Sequence, residues 1–404
     1  MKKVVLAYSG GLDTTYCAIY LSRVKQMEVH AVTVQTGGFS EDELKKIEER
    51  AFGLGVASFK VIDVTRIYYD SCIKYLVYGN VLKNATYPLS VSAERMIQAI
   101  SVAEYAKTLN ADFIAHGSTG AGNDQVRFDM VFQGIVPELG IITPIRDMKL
   151  SREAEMAFLK ENGVDLNFEK AKYSINKGLW GTSVGGKETL NSKDYLPESA
   201  WPTQVTGSGT RNIVLQFEKG EIVGVDGYTF GHPVEAIQFL QSIAQPYGVG
   251  RDIHVGDTII GIKGRVGFEA AAPLIIIKAH HLLEKHTLTK WQLYWKDQLS
   301  TWYGNWLHEG MMLDPTMRNI EKFMEDSQQT VTGKVFVTLQ PYHFMVTGIE
   351  SEHDLMNSQF GSYGEMNNSW TGDDVKGFAK IFGNQVGIYH SVNKDKIALL
   401  KQDS

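Results

Sequence analysis

The stretch AYSGGLDTT, residues 7–15, decides the fold of the first part of this chain. It overlaps residues 3–8, a β-branched run that predicts a strand, and leads into residues 14–21, whose apolar side chains predict a packed helix. Gly10 and Gly11 lie in the turn between them. Backbone N–H groups at a helix N-terminus, approached closely across glycines, form an anion site. The stretch therefore predicts a strand–turn–helix unit that binds phosphate.

Polar side chains in the same stretch narrow the type of phosphate site. Ser9, Thr14 and Thr15 add hydroxyl donors, while the Gly-Lys-Ser/Thr ending of a kinase-type P-loop is absent. Asp13 suits an anion site if Mg²⁺ accompanies the phosphates, or if its carboxylate holds the loop through hydrogen bonds. The string resembles the S-G-G-x-D-S/T loop of ATP pyrophosphatases, which attack the α-phosphate and release pyrophosphate. A structural turn without a ligand is the alternative.

Length and composition bound the remaining possibilities. A chain of 404 residues with 43% hydrophobic and 21% charged residues predicts a globular protein of two or three domains. A net charge of −6 gives no basic surface for nucleic acid. Cys17 and Cys72 form no CxxC pair, so they predict small buried side chains instead of disulfides or a zinc site. Neither a signal sequence nor an apolar run of about twenty residues is present, so we expect a cytoplasmic protein without membrane contact.

Strand and helix signals alternate through about residue 165. Strands are predicted at 29–34, 59–64 and 112–116, and a long helix at 91–109. Another helix follows Ser40, where Glu43 completes a capping box. This order predicts an α/β fold with a doubly wound parallel sheet, whose ligands lie at the carboxyl ends of the strands.

From about residue 172 the pattern changes, which predicts a nucleotide-binding domain over residues 1–168 and an α+β synthetase domain over residues 169–404. The second domain has a hairpin signal at 213–225 with its turn at Lys219-Gly220, a helix from Pro233 and a strand at 331–339. A helix over 288–307 carries an aromatic stripe, which is typical of a core or a subunit interface. The stripe comprises Trp291, Trp295, Leu299, Trp302 and Trp306.

A second polar constellation is HGSTGAGNDQVRF, residues 116–128. Its three glycines let the backbone approach a ligand closely. Thr119, Asn123, Asp124 and Arg127 supply a hydroxyl, an amide, an anion and a cation. This mixture suits an amino acid, because a carboxylate pairs with guanidinium and an ammonium pairs with Asp124. A polar surface loop is the alternative.

Together these strings resemble the argininosuccinate synthases, which join citrulline to aspartate while ATP goes to AMP and pyrophosphate. The resemblance covers most of the chain. Besides the two strings above, it is carried by YPLSVSAER at 87–95, YS-x-N-x-x-LW-x-x-S at 173–183, GR at 250–251, GIK-x-R at 261–265 and VTG at 331–333.

The resemblance implies a role for each matched position. The implied ATP site comprises Ala7, Tyr8, Ser9, Gly10, Gly11, Leu12, Asp13, Thr14, Thr15, Val34 and Gly117. Aspartate would be held by Thr119, Asn123 and Asp124. Citrulline would be held by Tyr87, Ser92, Asn123, Arg127, Ser174 and Ser183. Asp124 is the candidate catalytic residue, as acceptor of a proton from the aspartate ammonium, with a purely binding role as the alternative. The resemblance also implies Mg²⁺ with ATP and a homotetramer with a C-terminal oligomerisation helix.

Three positions depart from the family pattern. Ala121 replaces a lysine, Gly256 stands where the family has a citrulline-binding glutamate, and Phe268 stands where it has a tyrosine. If the citrulline α-nitrogen were acylated, an acid would have nothing to bind there and its burial would be costly. Alternatively, Asp257 or Glu269 substitutes for the missing acid.

Two other classes of function stay open at the level of sequence. One is a non-catalytic paralogue that senses nucleotide or amino acid, against which the intact loop strings argue. The other is a different amide-forming ATP pyrophosphatase, which is weakened because neither Cys17 nor Cys72 lies in a recognisable glutaminase motif.

Overall fold

The chain begins with a sheet of short strands that alternate with helices. In this computed structural model, which describes residues 1–164, 173–357, 363–365 and 369–393, the strands of this sheet are β1 (Lys3–Ala7), β2 (Glu28–Gln35), β3 (Ser58–Asp63), β4 (Phe113–Ala115) and β5 (Gly140–Ile142). The accompanying helices are α1 (Leu12–Ile19), α2 (Glu41–Gly53), α3 (Thr65–Tyr68), α4 (Lys74–Tyr78), α5 (Ser90–Thr108), α6 (Asp124–Ile135), α7 (Pro144–Asp147) and α8 (Arg152–Glu161).

The five strands pair in parallel in the order β3-β2-β1-β4-β5, which confirms the predicted doubly wound sheet. The strand order reverses between β1 and β4, where Leu6 pairs with Ala115. Ligands of such sheets bind beyond the carboxyl ends of the strands at this reversal. The loops after β1 and β4, which carry the two polar strings, therefore meet at the expected crevice.

Alternation along β1 explains why helices cover both faces of this sheet. Val4 and Leu6 are buried in one cluster with Cys17 of α1, whereas Val5 is buried in another with Ala99 of α5. The predicted strands and the long helix agree with the structure within about two residues at each end. The predicted burial of both cysteines is confirmed.

The remaining chain of the first compact unit, Met1–His353, is α+β. Its strands are β6 (Ser174–Gly178), β7 (Gly181–Gly185), β8 (Arg211–Glu218), β9 (Glu221–Val225), β10 (Tyr228–Thr229), β11 (Arg251–Asp257), β12 (Lys263–Glu269), β13 (Gly333–Gln340) and β14 (His343–Glu350). Its helices are α9 (Pro233–Ala244), α10 (Ala271–Thr287), α11 (Lys290–His308) and α12 (Pro315–Ser327). The strands form two antiparallel sheets, β10-β9-β8-β13-β14 and β11-β12-β7-β6.

Two local predictions, one in each part of this unit, are confirmed. Ser40 and Glu43 form the expected capping box at the start of α2. The β8–β9 hairpin turns at Lys219-Gly220, where both residues have positive φ, as a two-residue hairpin turn requires.

The aromatic stripe of α11 divides between the two predicted environments: Leu299 and Trp306 pack against the core, whereas three of its tryptophans are exposed. Trp291, Trp295 and Trp302 are 63%, 57% and 58% exposed. Tyr303 and Leu307, on the opposite side of the helix, are buried instead. Helical spacing shows which residues share a face, but not which face the protein covers.

The second compact unit is Asp354–Ser404. Its described helices are α13 (Gly372–Phe382) and α14 (Asn384–Asn393), in which no described side chain is buried. The predicted domain boundary at 168/169 lies outside the described residues. In the described ranges, none of the helices is both long enough and apolar enough to cross a bilayer.

Candidate active site

The loop between β1 and α1 is held by its own polar groups. Gly10 has φ +72°, which favours glycine, and its carbonyl oxygen accepts a hydrogen bond from the Arg50 guanidinium. The Ser9 backbone N–H donates to Thr14 Oγ1 at 3.3 Å, and the Gly11 N–H donates to Ser9 Oγ at 3.4 Å. A Cβ at Gly11 would meet only the Ser9 hydroxyl, at 3.4 Å. Hydrogen bonds from Arg50 and within the loop therefore hold the loop conformation, and the protein leaves space beside Gly11.

The loop after β4 lies directly against the first loop. A Cβ on Gly117 would stand 3.2 Å from the Asp13 carbonyl carbon and 3.3 Å from the Asp13 Cβ. Glycine at this position therefore allows the two strand ends to come together, as the sheet topology predicted. Behind them, His116 Nε2 lies 2.9 Å from Asp129 Oδ1, and Arg146 also contacts that carboxylate.

Asp124 begins α6 between two arginines. Arg95 Nε donates to Oδ2 and Arg127 Nη1 donates to Oδ1, each at 3.0 Å. Burial raises the pKa of Asp124, but the two guanidinium groups outweigh burial and leave that pKa below its ordinary value. Asp124 is consequently a firmly ionised carboxylate, which suits it to bind cations better than to accept protons near neutral pH.

Arg127 is 3% exposed and its guanidinium is already hydrogen-bonded within the protein. Nε and Nη2 donate to the His308 carbonyl oxygen at 3.1 and 2.7 Å, and Nη2 also donates to Ser92 Oγ at 3.1 Å. This fork joins the end of α11 to α5 and α6. The role of Arg127 in binding a substrate carboxylate stays a prediction, since the structure shows these donors engaged with protein acceptors.

The other predicted citrulline residues divide between two elements. Tyr87 is buried before α5, and its hydroxyl accepts hydrogen bonds from Ser90 Oγ and the Val91 N–H. Ser183 on β7 is buried and lies beside Asn176 of β6. Ser174, which also lies on β6, is exposed.

Arg95 Nη2 donates to Asn176 Oδ1 at 2.9 Å, so one chain of hydrogen bonds runs from Asp124 to Ser183. Hydrogen bonds therefore join four of the predicted substrate residues, Ser92, Asp124, Arg127 and Ser183, in one polar cluster.

Three further predicted positions lie at the edge of this cluster. Val34 is buried near the carboxyl end of β2, and Thr119 is exposed in the loop after β4. Asn123 Oδ1 accepts a hydrogen bond from the Ile259 N–H at 2.8 Å, so the tip of the β11–β12 hairpin reaches that loop. Ala121 is exposed in the same loop, and nothing in the structure explains why it replaces lysine.

The hairpin formed by β11 and β12 presents the two departures on one face. Gly256 pairs with Gly264 and Asp252 pairs with Phe268, so these residues and His254 share a face by register. Phe268 and His254 both pack on Tyr87, with ring centroids 5.4 and 5.0 Å away.

A Cβ on Gly256 would lie 2.5 Å from His254 Nε2, so the imidazole occupies the space beside this glycine. His254 is 6% exposed, and within the described chain its Nδ1 has no hydrogen-bond partner. Burial, with Lys83 nearby, lowers the pKa of His254, so the ring is neutral at physiological pH.

Neither proposed substitute acid is free at this face. Glu269 is buried, accepts from Gln245 Nε2 at 2.6 Å and lies 3.3 Å from Arg251 Nε. Asp257 pairs with Lys263 at 2.6 Å, and its side chain is 62% exposed. Both carboxylates therefore already have cationic partners.

A cavity of about 330 Å³ adjoins the same hairpin. It is lined by Lys83, Asp257, Thr258, Ile259, Trp302, Asn305, Trp306, His308 and Glu309. Lys83 Nζ donates to Asn305 Oδ1 at 3.1 Å, and among the described residues no carboxylate lies within ion-pair distance of it. His308, whose pKa falls to about 3 through burial and the charges of Arg127 and Lys83, is neutral. The cavity thus combines the Lys83 cation with the carboxylates of Asp257 and Glu309 and with neutral side chains.

Sequence patterns missed several members of this cluster. Glu94, Arg95 and Asn176 lie in the strings that carry the family resemblance but were given no role, whereas His254 and His308 carried no local signal. Burial raises the pKa of Glu94 to about 7 despite its contact with Arg95. These side chains reach the cluster from separate elements, so only the tertiary structure shows them.

Comparisons with known proteins agree with this geometry. The family model described as the arginosuccinate synthase N-terminal HUP domain matches residues 3–165, and the model of the C-terminal domain matches residues 173–389. The chain belongs to the argininosuccinate synthase family. It is thus a member of a family of carbon–nitrogen ligases.

Curated members of the argininosuccinate synthase family are similar to the chain over nearly its whole length. The protein named argininosuccinate synthase from Methanocaldococcus jannaschii is 35% identical over 97% of this chain and 99% of its own length. Those from Dictyoglomus thermophilum and Sulfurisphaera tokodaii are 34% and 33% identical over 96% and 94% of the chain, and over 97% of their own lengths.

The structure also bears on the Mg²⁺ that the argininosuccinate synthase family implies. The described ranges contain no cluster of three histidine, cysteine or carboxylate side chains placed to hold a metal ion. Since Mg²⁺ keeps several waters and binds phosphate oxygens in nucleotide sites, it would be held mainly by ATP and not by a protein cage.

Proposed function

We propose that the protein joins citrulline to aspartate through a citrullyl-adenylate, with ATP converted to AMP and pyrophosphate, in arginine biosynthesis. The observation that carries the proposal is the meeting of the two strand-end loops, where Gly117 lies against Asp13 at the reversal point of the sheet. Family membership supplies the class of reaction, and the cluster around Asp124 supplies groups for two amino acids.

On this proposal the first loop binds the nucleotide. The N–H groups at the start of α1, with the open backbone at Gly11, would receive the phosphates and stabilise the departing pyrophosphate. A ureido oxygen is a weak nucleophile, so positioning it in line with the α-phosphorus is the main task of the site. On this proposal Ser92 and Arg127, which are held by the end of α11, would do this.

The second step joins the aspartate amine to the adenylated ureido carbon and releases AMP. Asp124 would hold the aspartate ammonium, because its carboxylate is ionised and 36% exposed despite its two arginine partners. The low pKa of Asp124 argues against the catalytic-base role that we considered from the sequence, and favours the binding role.

Isotope transfer tests this proposal directly. Citrulline labelled with ¹⁸O in the ureido group, with aspartate and MgATP, should give argininosuccinate, pyrophosphate and AMP that carries the label. Recovery of the label in water, or its absence from AMP, would contradict a citrullyl-adenylate intermediate. A protein that binds ATP but releases no pyrophosphate with any ureido substrate would be a sensor, and the proposed reaction would be rejected.

A second candidate substrate is an N-acylated citrulline, and the β11–β12 face is the observation that favours it. A neutral imidazole fills the space beside Gly256, Phe268 has no hydroxyl, and both Asp257 and Glu269 are already paired. Neither Asp257 nor Glu269 is free to pair with an ammonium there, whereas the unpaired His254 Nδ1 suits a neutral amide.

N-acetylcitrulline is the probe that separates the two substrates. If the second candidate is correct, its kcat/KM should at least equal that of citrulline. Gly256→Glu with Phe268→Tyr, combined with His254→Ala to clear the overlapping space, should shift preference toward citrulline by roughly tenfold to a hundredfold. The control is His254→Ala alone. A large preference of the unmodified protein for free citrulline would reject this candidate.

The assembly that we infer is a homotetramer. The exposed tryptophans of α11 and the exposed apolar side chains of α13 and α14 support association, since isolated chains rarely leave so many large apolar groups in water. Sedimentation of the full chain at micromolar concentration tests it, and a monomer would contradict it.

A further inference from the structure

Glu155 is a buried acid with no part in the proposed reaction. It lies on α8, which packs against α1, and the residue is 3% exposed. Its carboxyl group lies beside that of Asp13, in the first turn of α1. Within the described ranges, the Oε2 atom of Glu155 is buried without a hydrogen-bond partner. An acid in this position needs a reason, because burial of an unpaired carboxylate is costly.

Two touching carboxyl groups cannot both be ionised in a buried setting, so they share one proton. Burial and the adjacent Asp13 raise the pKa of Glu155 to about 8. The groups that face the pair are Arg152 from α8, and Tyr16 and Cys17 from α1. Of these only Arg152 is cationic, and it favours ionisation of both acids without outweighing burial.

Asp13 is held from two sides by this arrangement. Gly117 abuts its backbone and Cβ, while Glu155 contacts its carboxyl group. The same residue lies two positions after Gly11, so its placement fixes the direction of the N–H groups that open α1. A change in the carboxyl pair would therefore move the phosphate-binding loop.

We propose that Glu155 is a positioning residue of the phosphate loop: its protonated carboxyl group donates a hydrogen bond to Asp13 and holds the first turn of α1 in the conformation that receives ATP. The inference rests on the proposed function. Glu155 itself touches no substrate, so it acts through Asp13 alone.

The test compares Glu155→Gln, Glu155→Leu and the matched control Glu153→Gln, a fully exposed position on the same helix. Glu155→Leu removes the donor and should raise the KM for ATP at least tenfold, with the KM values for both amino acids within twofold. Glu155→Gln keeps a neutral donor and should stay within threefold of the unmodified protein at pH 7. Glu153→Gln should change nothing.

The pH dependence of the KM for ATP distinguishes a positioning role from a purely structural one, because loss of packing alone would not make this KM depend on pH. In the unmodified protein the KM for ATP should rise above about pH 8, where Glu155 loses its proton, and Glu155→Gln should remain flat up to pH 9. Superimposable profiles for these two proteins, or an unchanged KM in Glu155→Leu, would overturn the inference. If Glu155→Leu does not fold, the pH profiles of the KM for ATP in Glu155→Gln and in the unmodified protein still test the inference.

Calorimetric titration with MgATP separates this inference from the proposed function. If the unmodified protein releases no pyrophosphate, the proposed reaction fails. A Kd for ATP that rises in Glu155→Leu, stays nearly unchanged in Glu155→Gln and rises above about pH 8 in the unmodified protein would still support Glu155 as a positioning residue. A protein that does not bind ATP at all would overturn both.

Discussion

Replacement of Asp124 by asparagine separates a binding role from a catalytic one. Asp124→Asn keeps the shape of the side chain but removes the charge that Arg95 Nε and Arg127 Nη1 contact, each at 3.0 Å. The folded-state pKa of Asp124 lies below its ordinary value, so the charge is constant from pH 6 to 9. Because the pKa is lowered on folding, these ion pairs stabilise the protein above about pH 4 and are lost as the pH falls further.

The magnitude follows from the exposure of the side chain. Hydrogen bonds to charged groups contribute about 1.5–3 kcal/mol each when buried. Asp124 is 36% exposed, so solvent screening limits the contribution of its charge to binding the aspartate ammonium to about 1.5–3 kcal/mol even if both oxygens contact it. If the same charge holds the aspartate ammonium, the KM for aspartate should rise roughly tenfold to 150-fold. A lost general base would instead lower kcat by about 10²–10⁴.

The assay is pyrophosphate release at varied aspartate concentration from pH 6 to 9. We expect kcat within fivefold of the unmodified protein and no change in the pH profile of kcat. Asp147→Asn, at an exposed carboxylate on α7, is the control. A hundredfold fall in kcat with an unchanged KM for aspartate would refute the binding role and restore Asp124 as a base.

Three further outcomes follow from the structure. Gly11→Val should abolish pyrophosphate release while leaving the circular dichroism spectrum unchanged, because its Cβ would make only an ordinary contact with the Ser9 hydroxyl but would block the approach of phosphate. Lys296→Met should lower the free energy of unfolding in urea by about 3–5 kcal/mol, since it removes the ammonium 2.9 Å from the fully buried Glu284 carboxylate, and adding Glu284→Gln, which keeps an acceptor for Asn80 and Gln328, should recover part of the loss. Trp295→Glu with Trp302→Glu should leave the fold intact but reduce the sedimentation coefficient of the full chain; an unchanged value would show that this face is not an interface.

The sequence was informative wherever function and fold depend on neighbours along the chain. The order of strands and helices, the capping box at Ser40 and the turn at Lys219-Gly220 were all predictable, because each depends on spacing over a few residues. The meeting of the loops after β1 and β4 was predictable too, since parallel topology places those ends together.

Contacts between distant segments were not predictable in the same way. His308 contributes its carbonyl oxygen to Arg127, which lies 181 residues earlier, and nothing local distinguishes it from other histidines. The tryptophans of α11 showed a stripe whose exposed or buried side depends on what packs against the helix. Glu155 gave no signal for a related reason: on an amphipathic helix an isolated acid predicts a solvated position, and only the packing of α8 on α1 buries it.

The departures at Gly256 and Phe268 acquire a common cause once His254 is considered with them. All three lie on one face of the β11–β12 hairpin, and the imidazole stands where a side chain on residue 256 would begin. A side chain at position 256 therefore requires this ring to move, so the absence of an acid there and the position of the imidazole are linked in this structure. Reversal of Gly256 alone would force the ring away from Tyr87, which it stacks against at 5.0 Å. For this reason substrate preference at the α-nitrogen should respond to the three residues as a unit, while the loops at the strand ends keep the chemistry of the family.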